Sequence, residues 1–186
     1  MKAERATHHV DVAGVERDLP LFEVAPGVRI AILNILGDTE LVQAAARALA
    51  VRLRQFEGEV LVTAETKSIP LVHELSSELG LPYVVLRKQY RTYMGDALEV
   101  ETLSITTGTT QTLYLDEKDR ELLAGRRVVL VDDVISTGST LEAMRQVVER
   151  AGGHTVAEAA IFTEGERAKW QEIVAIGHLP VFDSRS

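Results

Sequence analysis

Val128-Val129-Leu130-Val131-Asp132-Asp133-Val134-Ile135-Ser136-Thr137-Gly138-Ser139-Thr140-Leu141 is the stretch on which the fold turns. Its first four residues are an apolar run, the pattern of a strand buried on both faces of a sheet. Asp132 and Asp133 follow at the carboxyl end of that strand, the edge of an open α/β sheet where ligands bind. Ser136 to Thr140 then forms a short loop of small hydroxyl residues around Gly138, and Leu141 opens a helix. The first N–H groups of a helix lack partners inside it, and the helix dipole favours negative charge there. Gly138 lets the backbone close around a ligand. Together these residues make a phosphate cradle. Two adjacent carboxylates suit phosphate badly, but they accept hydrogen bonds well from a pair of sugar hydroxyls. A phosphate beside a diol is ribose 5-phosphate. Taken singly, a hydroxyl residue before a helix is a cap, and an aspartate at a strand end is a turn former. The conjunction points to a ligand, because paired carboxylates beside a buried strand are unfavourable unless something uses them.

The flanking sequence extends the same architecture in both directions. Leu141, Met144, Val148 and Ala151 mark one helix face, closed by Gly152-Gly153. Strands are predicted beyond it at Thr155 to Phe162 and Ile173 to Ile176. Upstream, Val60-Val62 and Tyr83-Leu86 read as buried strands around a helix with Pro70 in its first turn and Gly80 at its end. Leu41, Ala45, Leu49 and Leu53 recur every fourth residue after Gly37-Asp38-Thr39, so a helix is expected there, stopped by Gly58. The first thirty or so residues are read as extended pieces: Val10 to Val15, Leu19 to Phe22 and Val28 to Leu33. Arg87 to Thr112 breaks the pattern, and alternation in Val100–Ile105 and Thr112–Leu115 suggests a hairpin around a mobile loop. The order favours an α/β fold with a mainly parallel central sheet flanked by helices.

Composition narrows the functional classes. The chain has 186 residues, 46% hydrophobic and 26% charged, which suits one folded domain with a sizeable core. A net charge of −8 argues against a nucleic-acid partner, which calls for a basic face. There is no cysteine, so disulfides, thiolate zinc sites and a cysteine nucleophile are excluded. The five histidines are scattered without metal-ligand spacing. No apolar run is long enough for a membrane span, and a cytoplasmic protein is expected. Trp170 is read as packing rather than as a stacking platform.

The segment from Val128 to Leu141 resembles the phosphoribosyl-pyrophosphate signature of the type I phosphoribosyltransferases, closest to their adenine branch. It is neither a Walker A loop nor a dinucleotide fingerprint. Thr63-Ala64-Glu65-Thr66-Lys67-Ser68 resembles that branch's pyrophosphate loop, with Lys67 where arginine is usual. A lysine supplies the charge without arginine's bidentate fork. Arg87-Lys88 with Arg91 resembles the branch's basic cluster, and Leu179-Pro180-Val181-Phe182 its C-terminal hood strand. The resemblance implies one domain over 1–186, with a core of about 35–165 and a hood from about 1–34 and 166–186.

What the resemblance implies chemically is transfer of ribose 5-phosphate from phosphoribosyl pyrophosphate to a purine-like base. Asp132, Asp133, Ser136, Thr137, Gly138, Ser139 and Thr140 would bind the ribose and its phosphate. Thr66, Lys67, Arg87, Lys88 and Arg91 would bind pyrophosphate, with Asp133 and Lys67 the catalytic pair and Tyr90 to Thr112 a lid. Mg2+ would be carried by the pyrophosphate, touching Asp132 and Asp133 only through water. A homodimer is implied as well. The chain departs from the family in its proton-handling groups. Leu103-Ser104-Ile105-Thr106-Thr107-Gly108 stands where the adenine enzymes have a glutamate between tyrosines, Ser136 where the 6-oxopurine enzymes have an aspartate, and Ile30 near a stacking aromatic. Those departures keep open a second reading, a non-catalytic sensor that binds phosphoribosyl pyrophosphate or a nucleotide. A plain flavodoxin-like domain would leave the aspartate pair unexplained.

Overall fold

A computed structural model describes residues 5–103 and 110–183. The core is a five-stranded sheet with every neighbouring pair parallel. Its strands are β4 (Val60–Ala64), β5 (Tyr83–Leu86), β8 (Arg127–Ile135), β9 (His154–Glu164) and β10 (Val174–Leu179), in the order β10-β9-β8-β4-β5. Helices α1 (Thr39–Leu53) and α2 (Ile69–Leu79) share one apolar cluster with the sheet, built on Leu41, Leu49, Leu71 and Leu75 from the helices and Leu61, Val129 and Val131 from the strands. Helix α4 (Ser139–Arg150) covers the other face together with the hairpin β6 (Leu98–Leu103) and β7 (Thr110–Leu115). A short α3 (Arg120–Leu123) leads into β8. The all-parallel sheet is what long apolar runs such as Val128–Val131 require, since both faces of such strands must be covered.

The amino-terminal third begins a separate antiparallel sheet, ordered β1 (Thr7–Val12), β2 (Val15–Ala25), β3 (Val28–Ala31), β11 (Phe182–Asp183). Its tight first turn places Ala13 and Gly14 at φ of 52° and 89°, the geometry that lets two right-twisted strands meet in a two-residue loop. Val10, Val12, Leu19 and Leu21 drop from this sheet into the α1–α2 side of the core, so the hood and the core share one apolar cluster. Among the described residues no helix is long and apolar enough to cross a membrane.

Several boundaries differ from expectation, each for a local reason. The carboxyl-terminal hood contribution does not begin at residue 166, because β10 is a core strand paired with β9, and only Phe182–Asp183 joins the hood. Helix α1 is stopped not by Gly58 but by a 3-10 turn over Arg54–Phe56 and by Glu57, which takes the left-handed conformation. Gly58 is instead a packing residue. A Cβ there would lie 2.5 Å from a Val129 methyl, closer than the sheet can yield. The expected hairpin exists, with Leu103 opposite Thr110. The family-divergent stretch at residues 104–109 lies outside the described residues. The largest change concerns β8: the strand does not stop at Val131 but continues through both aspartates to Ile135.

Candidate functional site

Sheet topology explains why β8 carries the site. From β4 the chain passes through α2 to β5 on one side, and from β8 it passes through α4 to β9 on the other. The order therefore reverses between β4 and β8, and a crevice opens at the carboxyl ends of strands placed this way. Pairing between them runs only from Val60–Val62 to Val128–Leu130. Past Leu130, β8 stays bonded to β9 through Ile135 and Thr163, while on its other edge no further ladder pairing is made among the described residues and the Thr63 hydroxyl donates to the Val131 carbonyl oxygen at 2.7 Å. Asp132 and Asp133 lie on that half-open extension.

Each carboxylate is held differently. Ser68 is buried at the start of α2, and it spends its hydroxyl on the aspartates instead of capping the helix. That hydroxyl donates to Asp132 Oδ1 at 2.7 Å, lies 3.2 Å from Asp133 Oδ1, and accepts the Asp133 N–H at 3.0 Å. The Asp133 N–H also points at Asp132 Oδ1, 2.9 Å away. Asp133 is buried, and its Oδ2 makes no hydrogen bond among the described residues. The Lys67 ammonium lies 3.1 Å from that oxygen as an ion pair and 3.4 Å from the Leu33 carbonyl oxygen. Burial first, and the neighbouring carboxylate second, push Asp132 up to about 7.

The loop beyond is built as a cradle. Gly138 sits at the helix N-cap with φ of 79°, a conformation that leaves no side chain to cap α4. Trp170 closes over it, since a Cβ on Gly138 would be 2.9 Å from the indole ring. Thr137 and Ser139 share a hydroxyl contact of 3.0 Å, and Thr140 exchanges hydrogen bonds of 3.2 and 3.3 Å with Gln111 on β7. Ser139 and Thr140 belong to the first turn of α4 rather than to the loop expected from the sequence.

Three cavities meet around Val134. A small one of about 30 Å3 is lined by Asp132, Ile135 to Gly138 and Thr140. A cleft of about 390 Å3 runs along Glu65 to Ser68, Lys88, both aspartates and Thr140. A third, of about 180 Å3, lies beneath the hood between Ile30–Leu33, Lys67, Asp133, Ser136 and Glu164. The structure thus brings together Thr66, Lys67, Lys88, Asp132, Asp133, Ser136, Thr137, Gly138 and Thr140 at these adjoining spaces. Arg87 is not at the cleft wall but pairs with Glu65, which also accepts the Lys88 N–H at 2.6 Å. Arg91 is exposed, bonds Gln89 at 3.1 Å and is not among the residues lining the cleft. The sequence reading missed Ser68, Gln111 and Glu164. Ser68 had a signal in its position directly after Lys67, but its hydroxyl target lies 64 residues away.

Comparison with known proteins agrees with this geometry. The phosphoribosyl transferase domain model matches residues 32–177, and the chain belongs to that family. It is similar to a hypoxanthine/guanine phosphoribosyltransferase of Methanocaldococcus jannaschii, 36% identical over 120 residues that cover 64% of this chain and 62% of the relative. It is also similar to the purine biosynthesis transcriptional repressor PurR of Bacillus subtilis, 26% identical over 89% of this chain and 57% of the relative. The chain therefore spans about three-fifths of the length of these curated relatives. In fold it resembles adenine phosphoribosyltransferase of Thermoanaerobacter pseudethanolicus, with a TM-score of 0.64 at 21% identity, covering 93% of this chain and 95% of that one.

Proposed function

We propose that the chain is a phosphoribosyltransferase that moves ribose 5-phosphate from phosphoribosyl pyrophosphate to a purine-like base and releases pyrophosphate. The observation that carries this reading is the Asp132–Asp133 pair on the half-open extension of β8, with Lys67 on Asp133 and the uncapped start of α4 beyond it. The three cavities fit the three parts of such a reaction. Ser136 to Thr140 would hold the 5-phosphate through hydroxyls and the N–H groups at the start of α4. Asp132 and Asp133 would accept from the ribose hydroxyls, and the cleft at Thr66, Lys67 and Lys88 would take the pyrophosphate. The base would enter under the hood.

In this reading the base nitrogen bonds to the sugar carbon as the bond to pyrophosphate breaks, and positive charge develops on the ring, as in glycoside cleavage. The protein holds the ribose in line, keeps cations on the leaving pyrophosphate, and excludes water. Lys67 bridges the two halves, since it touches Asp133 and lines both the cleft and the hood cavity. Mg2+ fits if the diphosphate carries it. Among the described residues no group of three or more metal-ligating side chains exists, but the two aspartates suit water-mediated contact. Bound there, the ion would neutralise charge on the leaving group. A cytoplasmic homodimer without a nucleic-acid partner completes the proposal.

The match to PurR over 89% of the chain favours a second reading, a sensor of phosphoribosyl pyrophosphate without turnover. One experiment separates the two. Adenine, guanine, hypoxanthine, xanthine, uracil and orotate are each supplied with phosphoribosyl pyrophosphate and magnesium, and pyrophosphate release is measured. Release with a purine supports the transferase. Tight ligand binding with no release from any base sinks it in favour of the sensor.

A further inference from the structure

Strand β9 ends in a glutamate that the ribose-phosphate chemistry does not use. Glu164 is 8% exposed, lines the hood cavity, and its carboxylate has no hydrogen bond or ion pair among the described residues. Burial pushes that carboxyl up, with no neighbouring cation to oppose it. Its oxygens still reach the cavity, where a ligand can supply the donors that the described residues do not.

Its surroundings are fixed. The Glu164 carbonyl oxygen accepts from the Trp170 indole N–H at 2.9 Å. On either side, Thr163 Oγ1 lies 2.9 Å from His178 Nδ1, and His178 Nε2 lies 3.0 Å from the Gly165 carbonyl oxygen. Elsewhere the cavity is lined by the apolar stretch from Ile30 to Leu33 and by Val134, by Lys67 and Asp133, which pair with each other, and by Ser136. An apolar wall beside a carboxylate that nothing among the described residues engages suits a heterocycle that turns N–H groups toward that carboxylate.

We infer that Glu164 is the specificity-determining residue of this site and selects a purine whose edge carries a ring N–H beside an exocyclic amine, the pattern of guanine. Two adjacent donors match the two carboxylate oxygens. Adenine would set a bare ring nitrogen against one of them, losing a bond and gaining a repulsion, and hypoxanthine, which has a C–H in place of the exocyclic amine, would lose one bond. This inference rests on the proposed function, because it takes the hood cavity as the place of the base.

Calorimetry with GMP, IMP, AMP and ribose 5-phosphate, on wild type and on Glu164→Gln, tests it. Ribose 5-phosphate reports the phosphate and sugar cradle by itself, so no turnover is needed. Wild type should bind GMP about tenfold or more tightly than IMP or AMP. Glu164→Gln should lose that preference with its ribose 5-phosphate affinity unchanged, and Glu164→Asp, which keeps the charge on a shorter arm, should retain part of it. Absence of a GMP preference in wild type, or its survival in Glu164→Gln, overturns the inference and leaves the ribose-phosphate site standing. Loss of ribose 5-phosphate binding in both variants overturns it as well, because the effect is then not selective for the base. Failure of wild type to bind ribose 5-phosphate overturns the proposed function, and the inference with it.

Discussion

Lys67 Nζ lies 3.1 Å from Asp133 Oδ2, joining the loop after β4 to the ligand edge of β8 across the point where strand order reverses. The pair is asymmetric: the Lys67 side chain is 49% exposed and that of Asp133 8%. The lysine can therefore turn toward an incoming anion, whereas the buried aspartate depends on it for a counter-charge.

Lys67→Met should consequently destabilise the free protein by about 1–2 kcal/mol, below the figure for a fully buried pair because one partner is half in water. Urea denaturation measures this. Adding Asp133→Asn to Lys67→Met should recover most of the loss, since no buried charge is then left unpaired. If the double variant falls by the sum of the two single effects, the pair is not coupled as described.

Asp133→Asn should weaken phosphoribosyl pyrophosphate binding by about ten- to a hundredfold, the value of a hydrogen bond to a charged acceptor. Titration calorimetry with magnesium present is the measurement. Unchanged affinity would remove Asp133 from the ribose site.

Asp132 should make stability fall with rising pH. Its folded value of about 7 lies above the unfolded value of about 4. Between these limits the folded chain binds more protons than the unfolded chain, so stability is lost as pH rises through the window and levels off above it. Asp132→Asn should gain about 2 kcal/mol over wild type at pH 8 relative to pH 4.5, well under the full shift because the side chain keeps some solvent contact. An equal difference between the two proteins at both pH values would contradict the raised value.

Gly138→Ala should lower stability by about 1–2 kcal/mol, because φ of 79° and contact with Trp170 both oppose a Cβ. Thermal melts of Gly138→Ala with and without Trp170→Leu separate the causes. Relieving the indole contact should recover only part of the loss, because the backbone conformation remains. Full recovery would assign the whole effect to packing.

The legible parts of this protein are those set by neighbours in sequence. Helix α1 was readable from its four-residue apolar spacing, α2 from Pro70 and Gly80, and β8 from four consecutive apolar residues, because each is a local pattern with a local physical cause. Strand ends were less readable. The strand β8 runs on through Asp132 and Asp133 because β9 still offers a bonding partner out to Thr163, and no composition rule near the aspartates reveals that.

The basic cluster shows the same limit. Arg87, Lys88 and Arg91 look equivalent in sequence, yet only Lys88 reaches the cleft wall. Glu65, 22 residues before Arg87, takes the Arg87 guanidinium for itself.

By itself the sequence determined an α/β chain with the segment proposed to cradle a ribose phosphate, because an apolar strand, an acidic pair and a glycine-hydroxyl helix start are contiguous and act over a few residues. Only the tertiary structure decided what surrounds that cradle. Ser68 on the aspartates, Lys67 on Asp133, Gln111 on Thr140 and Glu164 beneath the hood all arrive from distant segments. Their positions depend on which strand ends the sheet leaves unpaired, and the order in which strands assemble is written in the packing of the whole core rather than in any one stretch.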